Sequence, residues 1–546
     1  MQFDPVLIAP RREAMLSSGL WRNETINDAM EKALLACPDK EAVLAYRADR
    51  AVPTRLTYRE LNRRAELVAA NFARLGIGTS DVVSFQLPNW WEFVVLALAC
   101  ARVGAVANPI MPIFRERELT FMLNFGETKL IIVPKEFRGF DYEAMVNGMA
   151  SVLTSAPQVI VVDGHGENSF DRTLLAPTSP VSTNPVEPDD VLLLMYTSGT
   201  TGEPKGVMHT SNTLFANLHG FIEQLELQGA DIVLGASPMA HLTGYGYLAM
   251  VPLVLNSTTV LQDVWDPSRA LELVRLERVT FSMASSVFVA DTCDAVANGA
   301  PVSAAFTKFC CAGAPIPPTV ISRARELMAL TVCSAWGMTE NGAVTITKPS
   351  SAATKSGVSD GRPVPGMEVK VVDDKGVSLP VGTTGQLLVR GASLFAGYLK
   401  RPELNATDAD GWFDTGDLAY LDDDGYIRID GRSKDIIIRG GENIPVVEIE
   451  NLLYQHPAVA VVALVGYPDE RLGERSCAVV VLHPGTTLTL NDLSTYLSAA
   501  NVTRSYHPEQ LLLVEEIPRT PSGKIQKFRL RELAAAVPTS GQPPAA

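Results

Sequence analysis

The sequence predicts an α/β protein with a large N-terminal domain and a smaller α+β domain at the C-terminal end. The chain has 546 residues, which is too long for one ordinary hydrophobic core, so two or more domains are expected. Short apolar runs alternate with amphipathic helical patterns, which is typical of largely parallel sheets covered by helices. After about residue 365 the pattern changes to short alternating strands separated by Asp and Gly, which indicates a β-rich lobe.

The N-terminal part opens with a strong helical pattern over residues 57–76. Apolar residues recur there at helical spacing, Thr57 and Glu60 form a capping box, and Gly76 ends the pattern. Another helix is predicted at 92–103. Strands are predicted at 82–87, 130–133, 159–162, 191–195, 232–234, 258–261 and 279–283.

The β-rich lobe is predicted from strands at 367–372, 385–390 and 425–430. A charged segment follows at 431–435, and we place the domain boundary at 430–434. Beyond it we expect a helix at 449–455 and strands at 459–465 and 477–482. The sequence therefore predicts an N-terminal domain over 1–430, a C-terminal domain over 431–535, and a disordered Pro/Ala/Gly-rich tail over 536–546.

Composition excludes several classes of function. The 61 acidic and 46 basic residues give a net charge of −15, which argues against nucleic acid as a partner. Seven cysteines without a CxxC spacing favour a reduced, cytoplasmic compartment. The longest apolar stretches fall short of a membrane span, and the N-terminus does not have the pattern of a signal peptide.

The stretch from residue 196 to 207 is the most informative in the chain. It follows a buried-strand pattern and combines glycines, hydroxyl side chains and one lysine, a composition that suits a polyphosphate. Lys205 is followed by Gly206, so the spacing is not that of a P-loop. The alternative is an ordinary polar turn. The candidate nucleotide-binding residues are Thr197, Ser198, Gly199, Thr200, Thr201, Gly202 and Lys205.

This stretch resembles the phosphate loop of the adenylate-forming superfamily, which includes acyl-CoA synthetases, luciferases and peptide-synthetase adenylation domains. Four further segments resemble the superfamily's motifs in the same order: 336–340, 412–417, 431–435 and 521–524. The whole chain is most similar to short- and medium-chain acyl-CoA ligases of the cyclohexanecarboxylate type. The resemblance implies an AMP-forming acid–thiol ligase that uses ATP, Mg²⁺ and coenzyme A.

The resemblance also implies roles for residues of the nucleotide site. Thr339 would contact the α-phosphate, and Glu340 would be the carboxylate on the metal side. Asp417 would hold the ribose hydroxyls together with Arg432. Taken alone, Glu340 could cap a turn and Asp417 could form an Asx turn. The adenine would lie against the backbone of Gly313, Ala314 and Pro315, with Trp336 stacked on it and Gly337 and Met338 beside it.

The last two motifs would carry the catalytic lysine and the hinge. Lys524 would bridge the substrate carboxylate and the α-phosphate. Lys434 lies at the hinge position, about which the mobile C-terminal domain would rotate. After rotation, Gly440 and Gly441 would line the tunnel for CoA, although two glycines also suit an ordinary turn. Lys524 is also a predicted target of a lysine acetyltransferase and deacetylase, since acetylation would remove its charge.

His241 matches the superfamily's gate residue, which flanks the substrate carboxylate, although a lone His is more often structural. The residues that would line the acyl pocket carry no charge that could hold a second carboxylate or an amino group, which favours an apolar monocarboxylic acid, alicyclic or short- to medium-chain. An aromatic acid or a carrier-protein substrate is the first alternative. A non-catalytic nucleotide- or acid-binding protein is the second.

Overall fold

The computed structural model describes residues 1–179, 185–197, 204–313, 316–432, 437–439, 442–469, 472–500, 502, 504–519 and 524–536. Within these residues the strands are β1 Glu41–Tyr46, β2 Thr54–Thr57, β3 Val82–Phe85, β4 Val106–Pro109, β5 Thr128–Pro134, β6 Glu136–Phe137, β7 Phe140–Asp141, β8 Gln158–Val162, β9 Val191–Thr197, β10 Lys205–Thr210, β11 Ile232–Gly235, β12 Thr258–Gln262, β13 Phe281–Ala284, β14 Lys308–Cys311, β15 Thr331–Met338, β16 Gly342–Ile346, β17 Arg362–Pro363, β18 Met367–Val372, β19 Gly385–Gly391, β20 Gly397–Tyr398, β21 Phe413–Leu421, β22 Ile427–Arg432, β23 Ile437–Arg439, β24 Glu442–Ile444, β25 Val459–Asp469, β26 Gly473–Leu482 and β27 Gln510–Leu513.

The helices alternate with these strands. They are α1 Arg12–Ser17, α2 Ile26–Ala36, α3 Tyr58–Arg74, α4 Trp91–Val103, α5 Glu116–Phe125, α6 Tyr142–Gly148, α7 Phe170–Thr173, α8 Ser211–Leu225, α9 Val251–Val254, α10 Pro267–Leu276, α11 Ser286–Ala297, α12 Pro318–Met328, α13 Ala352–Lys355, α14 Val446–Leu453, α15 Leu490–Ala499 and α16 Lys527–Ala536. A π-helix covers Thr243–Met250 directly before α9. Such helices are frequently found at functional sites.

Two large sheets form the body of the N-terminal part. One has the strand order β17-β16-β15-β14-β13-β11-β12-β1-β2, and its strands from β15 to β1 are all parallel. The other has the order β20-β10-β9-β4-β3-β5-β8, with β10 and β20 antiparallel at one edge. The predicted α/β architecture is therefore confirmed, and antiparallel strands are added at the edges of both sheets.

Helix α4 is the most deeply buried helix of this part of the chain. All of its residues except Arg102 are buried, and the helix is apolar on every face. A helix of this kind can only lie inside a large core. Helix α3 packs beside it and is amphipathic; its predicted capping box between Thr57 and Glu60 is confirmed, and it begins at Tyr58.

Two smaller sheets follow along the chain. Strands β18, β19, β21 and β22 form an antiparallel sheet, which is the predicted β-rich lobe. Strands β23 to β27 form the sheet of the C-terminal part. Strand β22 ends at Arg432 in the former and β23 begins at Ile437 in the latter. The domain boundary that we propose at 430–434 falls at this change of sheet, and residues 433–436 lie outside the described residues.

Some predicted elements differ from the observed ones at their ends. Helix α14 begins at Val446, three residues before the predicted start, and Pro445 occupies its N-cap position. Strand β13 begins at Phe281 rather than at residue 279. Helix α16 includes Ala536, the first residue of the predicted tail, because the preceding alanines favour continuation of the helix; residues 537–546 lie outside the described residues.

The structure also describes the state of the cysteines and the hydropathy of the helices. All seven cysteines are free, and Cys310 and Cys311 are fully buried packing residues, as expected. Among the described residues, no helix combines the length and apolar character needed to cross a membrane.

The amide of Asn89 joins the two large sheets. Asn89 follows β3 and is buried, and its Nδ2 lies 3.2, 3.0 and 3.1 Å from the carbonyl oxygens of Gly235, Ser237 and Gln262. Its Oδ1 accepts a hydrogen bond of 2.9 Å from the backbone N–H of Met239. One side chain therefore satisfies backbone groups at the carboxyl ends of β11 and β12.

We expect Asn89→Ala to lower the free energy of unfolding by about 3 kcal/mol, because it leaves several buried backbone groups without a partner. The measurement is the midpoint of urea unfolding followed by circular dichroism. The exposed Asn298 provides the control, since Asn298→Ala removes the same amide from the surface. Equal midpoints for the two variants would show that Asn89 does not join the sheets energetically.

Candidate active site

The strands on either side of the predicted phosphate loop are paired with each other. Strand β9 ends at Thr197 and β10 begins at Lys205, and these two residues are direct partners in the antiparallel register. The Nζ of Lys205 lies 4.5 Å from the centroid of the Tyr398 ring. Of the predicted phosphate-binding residues, Ser198, Gly199, Thr200, Thr201 and Gly202 lie outside the described residues.

Glu340 lies in the turn between β15 and β16, and it is almost completely buried, with 5% of its surface exposed. Its Oε1 accepts a hydrogen bond of 2.6 Å from the hydroxyl of Tyr398. Burial and the adjacent carboxylate raise the pKa of Tyr398 well above its usual value. The phenol therefore remains protonated and donates to Glu340.

Close backbone packing fixes the turn that carries Glu340. A Cβ atom on Gly337 would lie 1.8 Å from the carbonyl oxygen of Gly342, so only glycine fits at position 337. Gly342 has a φ of +64°, in the left-handed region that favours glycine. The amide of Asn217 on α8 donates to the carbonyl oxygens of Asn341 and Ala343 at 3.3 and 3.1 Å. The turn therefore has little freedom to move.

His209 on β10 holds the adjacent residue of the same turn. Its Nε2 lies 2.7 Å from the carbonyl oxygen of Thr339, and its Nδ1 lies 3.1 Å from the hydroxyl of Thr213. Burial lowers the pKa of His209 to about 4. The ring is therefore neutral at physiological pH, and it donates its Nε2–H to Thr339.

Trp336 and Asp417 come together from two different sheets. The indole N–H of Trp336 on β15 donates a hydrogen bond of 2.9 Å to Oδ2 of Asp417 on β21, and Asp417 is buried. Arg432 on β22 is the direct antiparallel partner of Asp417 in the register, but the side chain of Arg432 lies outside the described part. The two predicted ribose-binding residues are thus neighbours across a strand pair.

Only some of the remaining predicted site residues lie within the described residues. Gly313, with a φ of +84°, follows β14 at its carboxyl end; Ala314 and Pro315 are outside the described residues. The backbone N–H of Met338 donates a 3.0 Å hydrogen bond to the Asn341 side chain. Lys434, Gly440 and Gly441 also lie outside the described residues, so the structure does not place the hinge or the predicted CoA tunnel.

His241 and Lys524 interact although they are far apart in sequence. His241 is half-buried directly before the π-helix, and its Nδ1 lies 3.3 Å from the backbone nitrogen of Thr243. Burial, and secondarily the positive charge of Lys524, lower the pKa of His241 to about 4. The charge of Lys524 therefore reaches the predicted gate residue.

Family models match most of the chain. The model described as "AMP-binding enzyme" matches residues 30–399, and the model "AMP-binding enzyme C-terminal domain" matches residues 448–524. This chain belongs to the family of AMP-binding enzymes. The C-terminal match of this AMP-binding enzyme ends at Lys524, the predicted catalytic lysine.

Named relatives of this AMP-binding enzyme include a medium-chain fatty-acid–CoA ligase of Escherichia coli (strain K12). It is 35% identical over 529 residues, which are 96% of this chain and 92% of that protein. A salicylyl-CoA synthase/salicylate adenylyltransferase of a Streptomyces species is also 35% identical, over 94% of this chain and 95% of that protein. The ATP-bound crystal structure of MatB from Rhodopseudomonas palustris has a TM-score of 0.83 at 26% identity, covering 94% of this chain and 99% of that one.

The predicted superfamily and its fold are confirmed by these similarities, as is the class of enzyme, an acid–thiol ligase that uses ATP and CoA. The residues also fit Mg²⁺. Among the described residues no group of three or more His, Cys, Asp or Glu could hold a metal by itself. Mg²⁺ in nucleotide sites is usually bound by one or two carboxylates together with phosphate oxygens, a requirement that the buried Glu340 meets.

Sequence reasoning missed three residues of this site: Tyr398, His209 and Asn217. All three are buried and contact Glu340 or its turn from elements distant in sequence. A signal existed only for His209, which follows Lys205 by four residues and lies with it on β10. Nothing in the local pattern around Tyr398 or Asn217 indicates their contacts with the turn.

The low pKa of His241 predicts a loss of stability in acid. The unfolded chain binds a proton at His241 near its ordinary pKa of about 6.5, whereas the folded protein does so only near about 4. Stability therefore falls as the pH falls from about 6.5 to 4, by about 2 kcal/mol at pH 5. Urea unfolding at pH 7.5 and pH 5.0 measures this change.

His241→Gln should lose less stability between these two pH values than the unmodified protein, because glutamine does not titrate. The exposed His165 gives the control His165→Gln, which should retain the full loss. An unchanged pH dependence in His241→Gln would contradict the prediction.

Proposed function

We propose that this enzyme activates an apolar monocarboxylic acid, alicyclic such as cyclohexanecarboxylate or short- to medium-chain, as an acyl-adenylate. It then transfers the acyl group to CoA, with release of AMP and pyrophosphate. The observation that carries the proposal is that Glu340 and Asp417, the proposed metal-side and ribose-side carboxylates, are both buried and accept hydrogen bonds from Tyr398 and Trp336. Lys524 adds support, because its charge, after burial, lowers the pKa of the proposed gate residue His241.

The first half-reaction joins two anions, so the site must supply positive charge and hydrogen-bond donors where the carboxylate meets the α-phosphate. In the proposed arrangement Lys524 bridges these two groups and Lys205 contacts the outer phosphates. Asp417, held by Trp336, accepts the ribose hydroxyls, and Arg432 lies across the strand pair from it. Trp336 would lie against the adenine.

Glu340 would be the protein ligand of Mg²⁺, and the cation would neutralise phosphate charge as pyrophosphate leaves. Thr339, whose carbonyl is held by His209, would present its hydroxyl to the α-phosphate. The chain's own residues thus hold the turn in place before any nucleotide is bound.

For the second half-reaction we propose rotation of the C-terminal domain about Lys434, which moves Lys524 away. Gly440 and Gly441 would then line the path of the CoA thiol. The support for this step is the resemblance of the 431–435 segment to the superfamily's hinge, together with the change of sheet between β22 and β23. We also propose a cytoplasmic location, for which the seven free cysteines are the support.

The proposed acid follows from the side chains near the gate. Leu242, Thr243, Val287 and Met338 are apolar or nearly so. Asp291, one turn beyond Val287 on α11, accepts a 2.8 Å hydrogen bond from Trp265, so this carboxylate is engaged with the protein. A medium-chain acid is what the name of the E. coli relative states.

An aromatic acid is the second candidate, because the Streptomyces relative named for salicylate is equally similar. Loading of a carrier protein is a variant of the same chemistry. Pyrophosphate release with cyclohexanecarboxylate, octanoate, benzoate and salicylate separates the apolar acids from the aromatic acids. We expect kcat/KM for cyclohexanecarboxylate or octanoate to exceed that for either aromatic acid by about 10-fold or more. A preference for the aromatic acids would contradict the proposed substrate and leave the reaction itself standing.

We expect Lys524→Ala to reduce acyl-adenylate formation by about 10²- to 10³-fold, because Lys524 acts only in the first half-reaction. Transfer from a pre-made acyl-adenylate to CoA should remain near the normal rate. Single-turnover kinetics of each half-reaction measure the two effects. The control is Lys527→Ala; Lys527 is nearby but pairs with Glu450 at 2.7 Å. Equal loss of both half-reactions in Lys524→Ala would contradict the assigned role.

A further inference from the structure

One short segment of the chain touches both charged ends of the proposed phosphate site. Residues 395–399 bond to the turn on one side and to β10 on the other. The N–H of Phe395 donates to the carbonyl oxygen of Glu340 at 2.7 Å. The N–H of Leu399 donates to the carbonyl oxygen of Gly206 at 2.8 Å, one residue after Lys205. The backbone alone therefore links the two positions.

Tyr398 is the side chain of this segment that reaches both groups. Its hydroxyl donates to Oε1 of Glu340 at 2.6 Å. The Nζ of Lys205 lies over its ring, 4.5 Å from the centroid, in a cation–π contact. With 4% of its surface exposed, the ring lies in a medium where both contacts are stronger than in water. One aromatic ring therefore contacts a cation and an anion at the same time.

The ring itself is held in place from behind. The backbone N–H of Tyr398 donates to the side chain of the buried Asn405 at 2.9 Å, and Phe395 packs against the Tyr398 ring in an edge-on contact at 4.7 Å. Close approach also limits β10, because a Cβ on Gly206 would lie 3.1 Å from the Cβ of Leu399. The backbone and the ring of Tyr398 are therefore also held by contacts that do not involve Glu340 or Lys205.

We propose that Tyr398 is a positioning residue that couples the phosphate-side lysine to the metal-side carboxylate, so that nucleotide and divalent cation bind cooperatively. This inference rests on the proposed role of Glu340. The hydroxyl orients the carboxylate toward the cation, and the ring keeps Lys205 beside the same phosphates. Hydrogen-bond partners that orient a metal-binding carboxylate typically change metal affinity 10- to 100-fold when they are removed.

The hydroxyl and the ring of Tyr398 should have separable effects on nucleotide affinity. Tyr398→Phe removes the hydroxyl and keeps the ring under Lys205, whereas Tyr398→Leu removes both. The probe is α,β-methylene-ATP, titrated by calorimetry in the presence of Mn²⁺ and, separately, of EDTA. The measured quantity is the metal-dependent gain in affinity for the nucleotide, which is the ratio of the Kd in EDTA to the Kd in Mn²⁺.

We expect Tyr398→Phe to reduce this gain by about tenfold with an unchanged Kd in EDTA. Tyr398→Leu should also raise the Kd in EDTA. Glu340→Gln should reduce the gain, and the double variant Tyr398→Phe/Glu340→Gln should be no worse than Glu340→Gln alone, because the hydroxyl acts through the carboxylate. The control Tyr142→Phe removes another buried hydroxyl, which donates to Pro112 at 2.7 Å, and should change neither constant.

Each contrary result has one meaning. A normal gain in Glu340→Gln would overturn the proposed metal role of Glu340 itself. A reduced gain in Glu340→Gln with a normal gain in Tyr398→Phe would overturn only the role of Tyr398. Additive losses in the double variant, or an equal loss of affinity in Mn²⁺ and in EDTA for Tyr398→Phe, would show that Tyr398 supports the fold without positioning Glu340.

Discussion

The buried carboxylates of the site each require a hydrogen-bond donor in the folded protein, and this requirement shapes the surrounding structure. An unpartnered buried charge costs several kcal/mol, so the donors must be in place before a substrate arrives. Glu340 receives the hydroxyl of Tyr398, and Asp417 receives the indole N–H of Trp336. Each donor comes from a different strand, so the pairs connect separate sheets. The same contacts that stabilise the buried carboxylates also orient them.

Rigid backbone packing supports these pairs. Gly337 and Gly342 lie so close together that no side chain fits at position 337. Asn217 on α8 donates a hydrogen bond to a backbone carbonyl of the same turn. His209 adds a fixed donor because its low pKa keeps it neutral. A turn held from three sides loses little entropy when a nucleotide binds, so more of the binding free energy remains for catalysis.

The sequence predicts the parts of this arrangement that are local. Helix α3 with its capping box, and the buried strand β9 before the glycine-rich stretch, follow from spacing and composition alone. The roles of Glu340 and Asp417 depend on the order of several motifs. Tyr398 could not be predicted, because its contacts join β20 to the turn before β16 through sheet pairing that no local pattern records. Packing of distant elements decides such contacts.

In the proposed mechanism, the positive charge in the site depends on the position of the C-terminal domain. The chain has a net charge of −15, and the reaction brings together two more anions. His241 at the gate is neutral because burial and Lys524 both oppose its protonation. In the proposed mechanism the positive charge at the acid therefore comes from the C-terminal loop, and it is present only while that loop faces the gate. In this mechanism the charge would leave when the domain rotates, and the uncharged gate would no longer stabilise the carboxylate and phosphate together. The orientation of the domain would in this way decide which half-reaction the site favours.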